Sequence, residues 1–259
     1  LEDLFGLDGK VVWVIGGAGY LGQPVVHLLA RTGAKVICAD LDNRAFEFVQ
    51  SAKFGSAVIP WSLDISKSER VKAFVKDQIS EFGRPNGFVN MAFASTSKKL
   101  EELSEADFDQ VNHTGLTSSF FLAREVGSEM AKNGGGSMVL FSSMYGMLAP
   151  DFHVYESPMN PNPIEYGVGK AGIIQMTKYL AMHYGRKNVR CNCISPGPFP
   201  NLSVQQKHVD FMGRLEGKTF LGRVGAAKEI AGSVCFLLSD LSSFTTGHNL
   251  VVDGGWTCW

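Results

Sequence analysis

The sequence predicts an α/β fold, a doubly wound parallel sheet with helices on both faces, formed as one domain by the whole chain, residues 1–259. Three observations lead there. Short apolar runs alternate with longer amphipathic segments. The runs are near-continuously apolar, as strands covered on both faces must be. No repeat, long linker or shift in composition marks a second domain. Strand–helix alternation of this kind implies right-handed crossovers and hence parallel pairing.

The elements follow in order. Strands are expected at 11–16 (VVWVIG), 35–40 (KVICAD), 57–63 (AVIPWSL), 87–92 (GFVNMA), 137–143 (SMVLFSS), 189–195 (VRCNCIS) and 249–254 (NLVVDG). Helices are expected among the intervening segments, at 20–32, 67–82, 104–132, 167–187 and 227–239. Pro24 falls in the first turn of the first helix, where its missing N–H costs little. Hydrophobic residues make up 45% and charged residues 19%, the composition of a globular chain that buries a large core. Lys plus Arg (24) nearly cancel Asp plus Glu (25), and no basic stripe appears, which argues against nucleic acid or a membrane surface as partner. Five scattered cysteines without a CxxC read as plain buried thiols rather than a metal or redox site. No apolar run approaches the roughly 18 residues of a membrane span, and the first residues lack the pattern of a signal peptide. A cytoplasmic setting is the expectation.

After the first strand comes GGAGYLG, residues 16–22. Gly16, Gly19 and Gly22 meet three needs of a dinucleotide turn: a tight bend, close approach to a pyrophosphate, and close helix–strand packing. Tyr20 and Leu21 lie in the same turn. The second strand ends in Asp40, where a carboxylate accepts hydrogen bonds from the adenosine ribose and repels a 2′-phosphate, favouring NAD over NADP. Capping of the following loop is the rival role for Asp40, and Asp42 competes for the ribose. Asp64 and Ile65 follow the third strand, within reach of adenine, although Asp64 also suits a loop carboxylate ahead of the next helix.

The strand 137–143 ends in Ser142 and Ser143, at the carboxyl edge where ligands bind in such sheets. Tyr166 and Lys170 stand four apart on one helical face. A phenol is a poor base at neutral pH, and a neighbouring ammonium together with a positive nicotinamide ring would favour the phenolate. Ser143 would hold the substrate oxygen while Tyr166 exchanges its proton. Tyr155 is the rival phenol, but four residues beyond it stands Met159, which cannot lower a pKa.

These residues in this order resemble the short-chain dehydrogenase/reductase family over nearly the whole chain. VNMA (89–92), with Asn90 and Ala92, stands where the family has N-N-A-G. VNHTG (111–115) carries Asn112, by resemblance the fourth catalytic residue, part of a proton relay through water and the lysine. CISPG (193–197) supplies Pro196 and Gly197 beside the nicotinamide, and 222–255 resembles the C-terminal signature. The resemblance implies a Rossmann-type sheet, hydride transfer between NAD(H) and an alcohol or carbonyl, a small-molecule substrate, and a homotetramer or homodimer. Three departures accompany it. GGAGYLG is closer to the extended branch of nucleotide-sugar epimerases and dehydratases, though that branch adds a substrate domain and this sequence stops soon after VDGG. Phe93 follows Asn90-Met91-Ala92 and puts a bulky ring beside the cofactor crevice. Asn201 replaces the threonine that usually follows the Pro–Gly loop. A non-catalytic NAD-binding scaffold is a further alternative, disfavoured by the presence of serine, tyrosine, lysine and asparagine together.

The segment 150–165, PDFHVYESPMNPNPIE, lengthens the gap between Ser143 and Tyr166 and should pass over the active-site mouth. Pro158, Pro161 and Pro163 would stiffen it, while Asp151, His153, Tyr155, Glu156, Asn160 and Asn162 offer hydroxyl-binding groups. A solvated loop without substrate contact is the competing role. Tyr155, Asn160, Phe93 and Phe199 are the candidate substrate contacts, and the expected substrate is a sugar or another polyhydroxylated molecule. Residues 199–220 are the expected lid, where Phe211, Met212 and Phe220 either reach the pocket or simply pack.

Overall fold

Seven strands form one parallel sheet in the order β3-β2-β1-β4-β5-β6-β7. The computed structural model describes residues 5–157 and 159–259. The strands are β1 (Val11–Ile15), β2 (Lys35–Asp40), β3 (Val58–Ser62), β4 (Gly87–Asn90), β5 (Gly136–Phe141), β6 (Val189–Pro196) and β7 (Asn249–Val252). Each lies within a residue or two of its expected start. Several end earlier than expected, because the chain leaves the sheet at its carboxyl edge to build the site.

Alternate residues of one strand serve different layers, as the period of two requires. Val12 and Val14 point into a core shared with α1 (Gly22–Arg31), α2 (Arg44–Ala52) and α9 (Lys228–Leu238). Trp13 and Ile15 point into the opposite core, shared with α3 (Ser68–Phe82), α5 (Ser118–Ala131) and α6 (Ile164–Tyr184). Cys191 and Cys193 sit together in that second core, fully buried. Of the five cysteines, Cys258 departs from the expectation of buried thiols: it is exposed, on the short turn that follows β7.

The expected helix at 104–132 is not continuous. α4 (Glu105–Asn112) gives way to a π turn at His113–Thr117 before α5 begins. Ser104 caps α4, its hydroxyl accepting from the Asp107 N–H while the Asp107 carboxylate reaches back to the Ser104 N–H. The π turn places one extra residue in the helix directly after Asn112, and such turns change which side chains face a site. The expected lid, 199–220, contains two helices that periodicity did not reveal, α7 (Leu202–Lys207) and α8 (Val209–Lys218). Among the described residues no helix is long and apolar enough to cross a membrane.

Candidate active site

β1 and β4 are neighbours whose onward connections run to opposite sides of the sheet, so their carboxyl ends open a crevice between diverging loops. The glycine turn lies on that crevice. Gly16 has φ +78°, a conformation that favours glycine, and its N–H donates to the Ala39 carbonyl at 2.8 Å. A Cβ on Gly22 would overlap the Gly16 carbonyl oxygen, so the first turn of α1 presses directly on the loop. This is a cradle that side chains would fill, and it suits a dinucleotide pyrophosphate at a helix N-terminus. Gly22→Ala is expected to destabilise the protein by about 3 kcal/mol through overpacking, read as a lower urea midpoint with an unchanged slope.

Asp40, buried at the end of β2, accepts from the Ala18 N–H at 3.0 Å and from the Leu41 N–H at 2.9 Å, and pairs with Arg44 at 3.2 Å. The carboxylate thus braces the glycine turn while lining an adenosine-sized cavity of about 280 Å³ with Gly16, Gly19, Leu41, Asp64 and Ile65. Asp42, its rival, is exposed at φ +50° and is not among the residues lining that cavity. Asp64 holds Ser66 through both its N–H and its hydroxyl, and that hydrogen bonding keeps the Asp64 carboxyl below its ordinary range. Asp64 therefore shapes its own loop and borders the cavity at once. The Asn90 side chain is turned inward, donating to Ser119 Oγ at 2.8 Å and accepting from the Ala92 N–H.

A second cavity, about 370 Å³, continues the crevice past Tyr20, Leu21, Ser143, Tyr166, Lys170, Pro196 and Gly197. A third, about 600 Å³, opens beyond Ser143 and Tyr166 and is lined by Tyr155, Asn160, Asn162, Phe199, Asn201 and Phe211 among others. The three cavities share walls: Gly16, Gly19, Met91 and Phe93 line the first two, and Ser143, Tyr166, Gly197 and Phe199 the last two.

Lys170 is 4% exposed, and its ammonium donates to the Phe141 carbonyl at 2.8 Å. Burial pushes it down to about 7, partly opposed by the Cys193 thiol. Tyr166 is shifted the other way: burial raises its pKa, and the Ser143 hydroxyl partly offsets the rise. The expected lowering needs a nicotinamide ring as well as the Lys170 ammonium. The ammonium stands 5.5 Å from the Tyr166 ring centre, and desolvation of the phenolate outweighs that distant charge. Asn112 stands against the start of the helix that carries Tyr166 and Lys170. Its amide donates to the Phe108 carbonyl at 3.1 Å and the Glu165 carbonyl at 3.4 Å, and its Oδ1 is buried without a partner among the described residues.

Phe93 was expected beside the cofactor crevice and also against substrate. It lines the first two cavities and is absent from the residues of the 600 Å³ mouth. Its ring is drawn inward into a slot where Gly115 and Gly169 leave no side chain, each Cβ position lying 2.5 Å from a ring atom.

The segment 150–165 lies over the mouth, and its polar groups divide into two sets. Asp151 pairs with Lys218 at 2.7 Å and Glu156 with Arg214 at 3.1 Å, while Arg214 Nε donates to the Val154 carbonyl at 2.8 Å. These fasten the segment to α8. Tyr155, Asn160 and Asn162 face the cavity. Pro158 lies outside the described residues. The Tyr155 hydroxyl is hydrogen-bonded to that of Tyr145, a residue sequence reasoning missed although it follows Ser143 by two. Asn201 caps α7, accepting from the Val204 N–H at 3.0 Å, which explains an Asn at the start of the lid. Of the expected lid contacts Phe211 lines the cavity, Met212 packs in the core beneath it, and Phe220 is exposed against Trp259.

Residues 17–257 match the family described as Enoyl-(Acyl carrier protein) reductase. The 3-oxoacyl-[acyl-carrier-protein] reductase FabG of Thermotoga maritima is 30% identical, over 96% of this chain and 98% of that protein. The NADP-dependent mannitol dehydrogenase of Hypocrea jecorina is 32% identical, over 99% and 96%. A short chain dehydrogenase from Leptospira borgpetersenii, solved with bound NAD+, superposes with a TM-score of 0.84 at 31% identity, covering 97% of this chain and 94% of that one.

Proposed function

This chain belongs to the short-chain dehydrogenase/reductase family, an oxidoreductase acting on CH–OH groups, and from that premise we propose an NAD-dependent enzyme for a sugar or other polyhydroxylated small molecule. The observation that carries the reading is the shared edge of two cavities: Ser143 and Tyr166 line both the nicotinamide half of the crevice and the mouth beyond it.

When bound, the nicotinamide supplies or accepts the hydride. The chain's own residues do the rest. Ser143 offers its hydroxyl to the reacting oxygen. Tyr166, kept protonated by burial, donates its proton to that oxygen in carbonyl reduction and removes one in alcohol oxidation. Lys170, held on the Phe141 carbonyl, supplies positive charge beneath the phenol while it is protonated, below its midpoint of about 7. Asp40, Asp64, Ile65, Asn90 and Ala92 would hold and shape the adenosine side, and Pro196 and Gly197 the nicotinamide side. Oxidation therefore speeds up as pH rises, because Tyr166 must first lose its proton.

A hydroxyl-rich substrate is supported by the mouth itself. Ser95, Ser97, Tyr155, Asn160, Asn162 and Asn201 line it, and among the described residues none that line it is charged. Tyr155 is held by Tyr145 and packs 5.6 Å from the Phe211 ring, a rigid wall against which a sugar ring can lie. A homo-oligomer, dimer or tetramer, belongs to the same reading, supported by exposed Phe120 on α5 and Tyr179 and Met182 on α6.

The test is the nicotinamide absorbance on mixing protein with NAD, or in parallel NADP, and a panel of alditols, aldoses and simple alcohols. NAD binding without turnover of any of them overturns the enzymatic reading. The preference for NAD has its own check. In Asp40→Ser the repulsion of a 2′-phosphate is gone and Arg44 is released from its pair, so the ratio of kcat/KM for NAD over NADP should fall about 100-fold. An unchanged ratio would remove Asp40 from the ribose role.

A further inference from the structure

Lys170 meets an aromatic face. Its ammonium stands 4.1 Å from the centre of the Phe93 ring, closer than the 5.5 Å to Tyr166. The same ring meets Tyr166 edge to face, centres 5.4 Å apart at 81°. Two glycines make room for it, Gly115 in the π turn and Gly169 directly before the lysine, so the ring has a built seat rather than a surface rotamer. The Gly169 Cβ position that lies 2.5 Å from the ring tip also lies 3.0 Å from Asn112 Oδ1. Ring edge and Asn112 are therefore neighbours, while the ring face is turned to the lysine.

We propose that Phe93 is a positioning residue for the reaction: its ring face holds and stabilises the buried Lys170 ammonium beneath Tyr166. The inference rests on the oxidoreductase reading above. Its physical basis is that an ammonium taken out of water needs compensation. The Phe141 carbonyl gives one hydrogen bond, and no carboxylate is paired with Lys170 among the described residues. Phe93 and Tyr166 present their negative ring faces instead, an attraction that strengthens when desolvated. The groups facing the ammonium are Tyr166 on its own helix and the Cys193 thiol from β6. Glu165, next to Tyr166, is fully buried but its carboxylate is bound to the Thr96 hydroxyl at 2.7 Å and its N–H. The neighbouring aromatic thus supplies part of the compensation that burial removes.

Two variants separate this from simple filling of space. Phe93→Leu keeps most of the volume without the ring face, and Phe93→Gly empties the slot and lets water reach the ammonium. The direct readout is NMR titration of lysine labelled with ¹³C at Cε, with Lys170 assigned by Lys170→Arg, and it requires no turnover. The Lys170 midpoint is expected to fall by about half a pH unit in Phe93→Leu and to rise above the wild-type value in Phe93→Gly. The alkaline-rising limb of kcat for oxidation should follow, later in pH for Leu and earlier for Gly. Midpoints that do not move in Phe93→Leu, or that move the same way in both variants, overturn the proposal. A merely structural role would lower Tm and kcat and leave the midpoints where they are. Failure of every substrate to turn over would instead sink the oxidoreductase reading, with the titration still deciding whether Phe93 sets the charge of Lys170.

Discussion

Tyr166→Phe is expected to lower kcat about 10³-fold while leaving the affinity for NAD within a factor of two. The phenyl ring keeps its edge-to-face contact with Phe93, so packing survives and the proton does not. General acid–base catalysis by one positioned group contributes about 10² to 10⁴, and here the reacting oxygen is left with the Ser143 hydroxyl alone. Tyr155→Phe makes the contrast. It loses a hydroxyl bonded to Tyr145 at the cavity wall, so KM should rise several-fold with kcat little changed. Initial rates of nicotinamide absorbance for both variants, alongside NAD affinity by calorimetry, check the assignment. If Tyr155→Phe proved inactive and Tyr166→Phe active, the roles of the two phenols would be reversed.

Lys170→Met is expected to lower kcat by a similar factor of about 10³ and yet to raise Tm. The two effects share one cause. Burial places the folded-state midpoint of Lys170 at about 7, against 10.5 for an ordinary lysine. Between those values the unfolded chain binds the proton that the folded chain refuses, so stability rises with pH through this window. Below pH 7 the penalty is complete. Methionine fills the channel without a charge, so the gain in Tm over the wild type should be largest near pH 6 and disappear near pH 10. The gain corresponds to a few kcal/mol at most. Thermal unfolding of both proteins across that range measures it. A lysine that costs stability and is kept beneath the candidate acid/base is explained by catalysis and not by packing. Equal Tm values at every pH would mean that the ammonium is fully compensated where it lies.

Much of the site was legible because its signals are local. Gly16 and Gly22 announce a turn that tolerates no Cβ, and Asp40 closes the next strand. Tyr166 and Lys170 share a face because a helix repeats every 3.6 residues. Strand positions were legible for the same reason: covered strands are apolar at every position, whatever they pair with. The lid helices α7 and α8 were not, because they are only six and ten residues long and meet at His208 with no Gly or Pro to mark the break. The division of the 150–165 segment was not legible either. Asp151 and Tyr155 look equally fit to bind a hydroxyl until Lys218 and Arg214, sixty residues away in the chain, claim the acids. Cys258 looked like its four buried counterparts because composition carries no position.

The sequence by itself determined the parallel sheet with its alternating helices, the dinucleotide turn and the identity of the candidate acid/base, all properties of neighbours in the chain. Tertiary structure alone decided what surrounds those groups. It seated Phe93 between two glycines, turned the Asn112 amide toward Phe108 and Glu165, and buried Tyr166 so that its pKa rises. The reason is that pKa values and side-chain directions follow from desolvation and from contacts between residues distant in sequence, and neither leaves a local pattern to read.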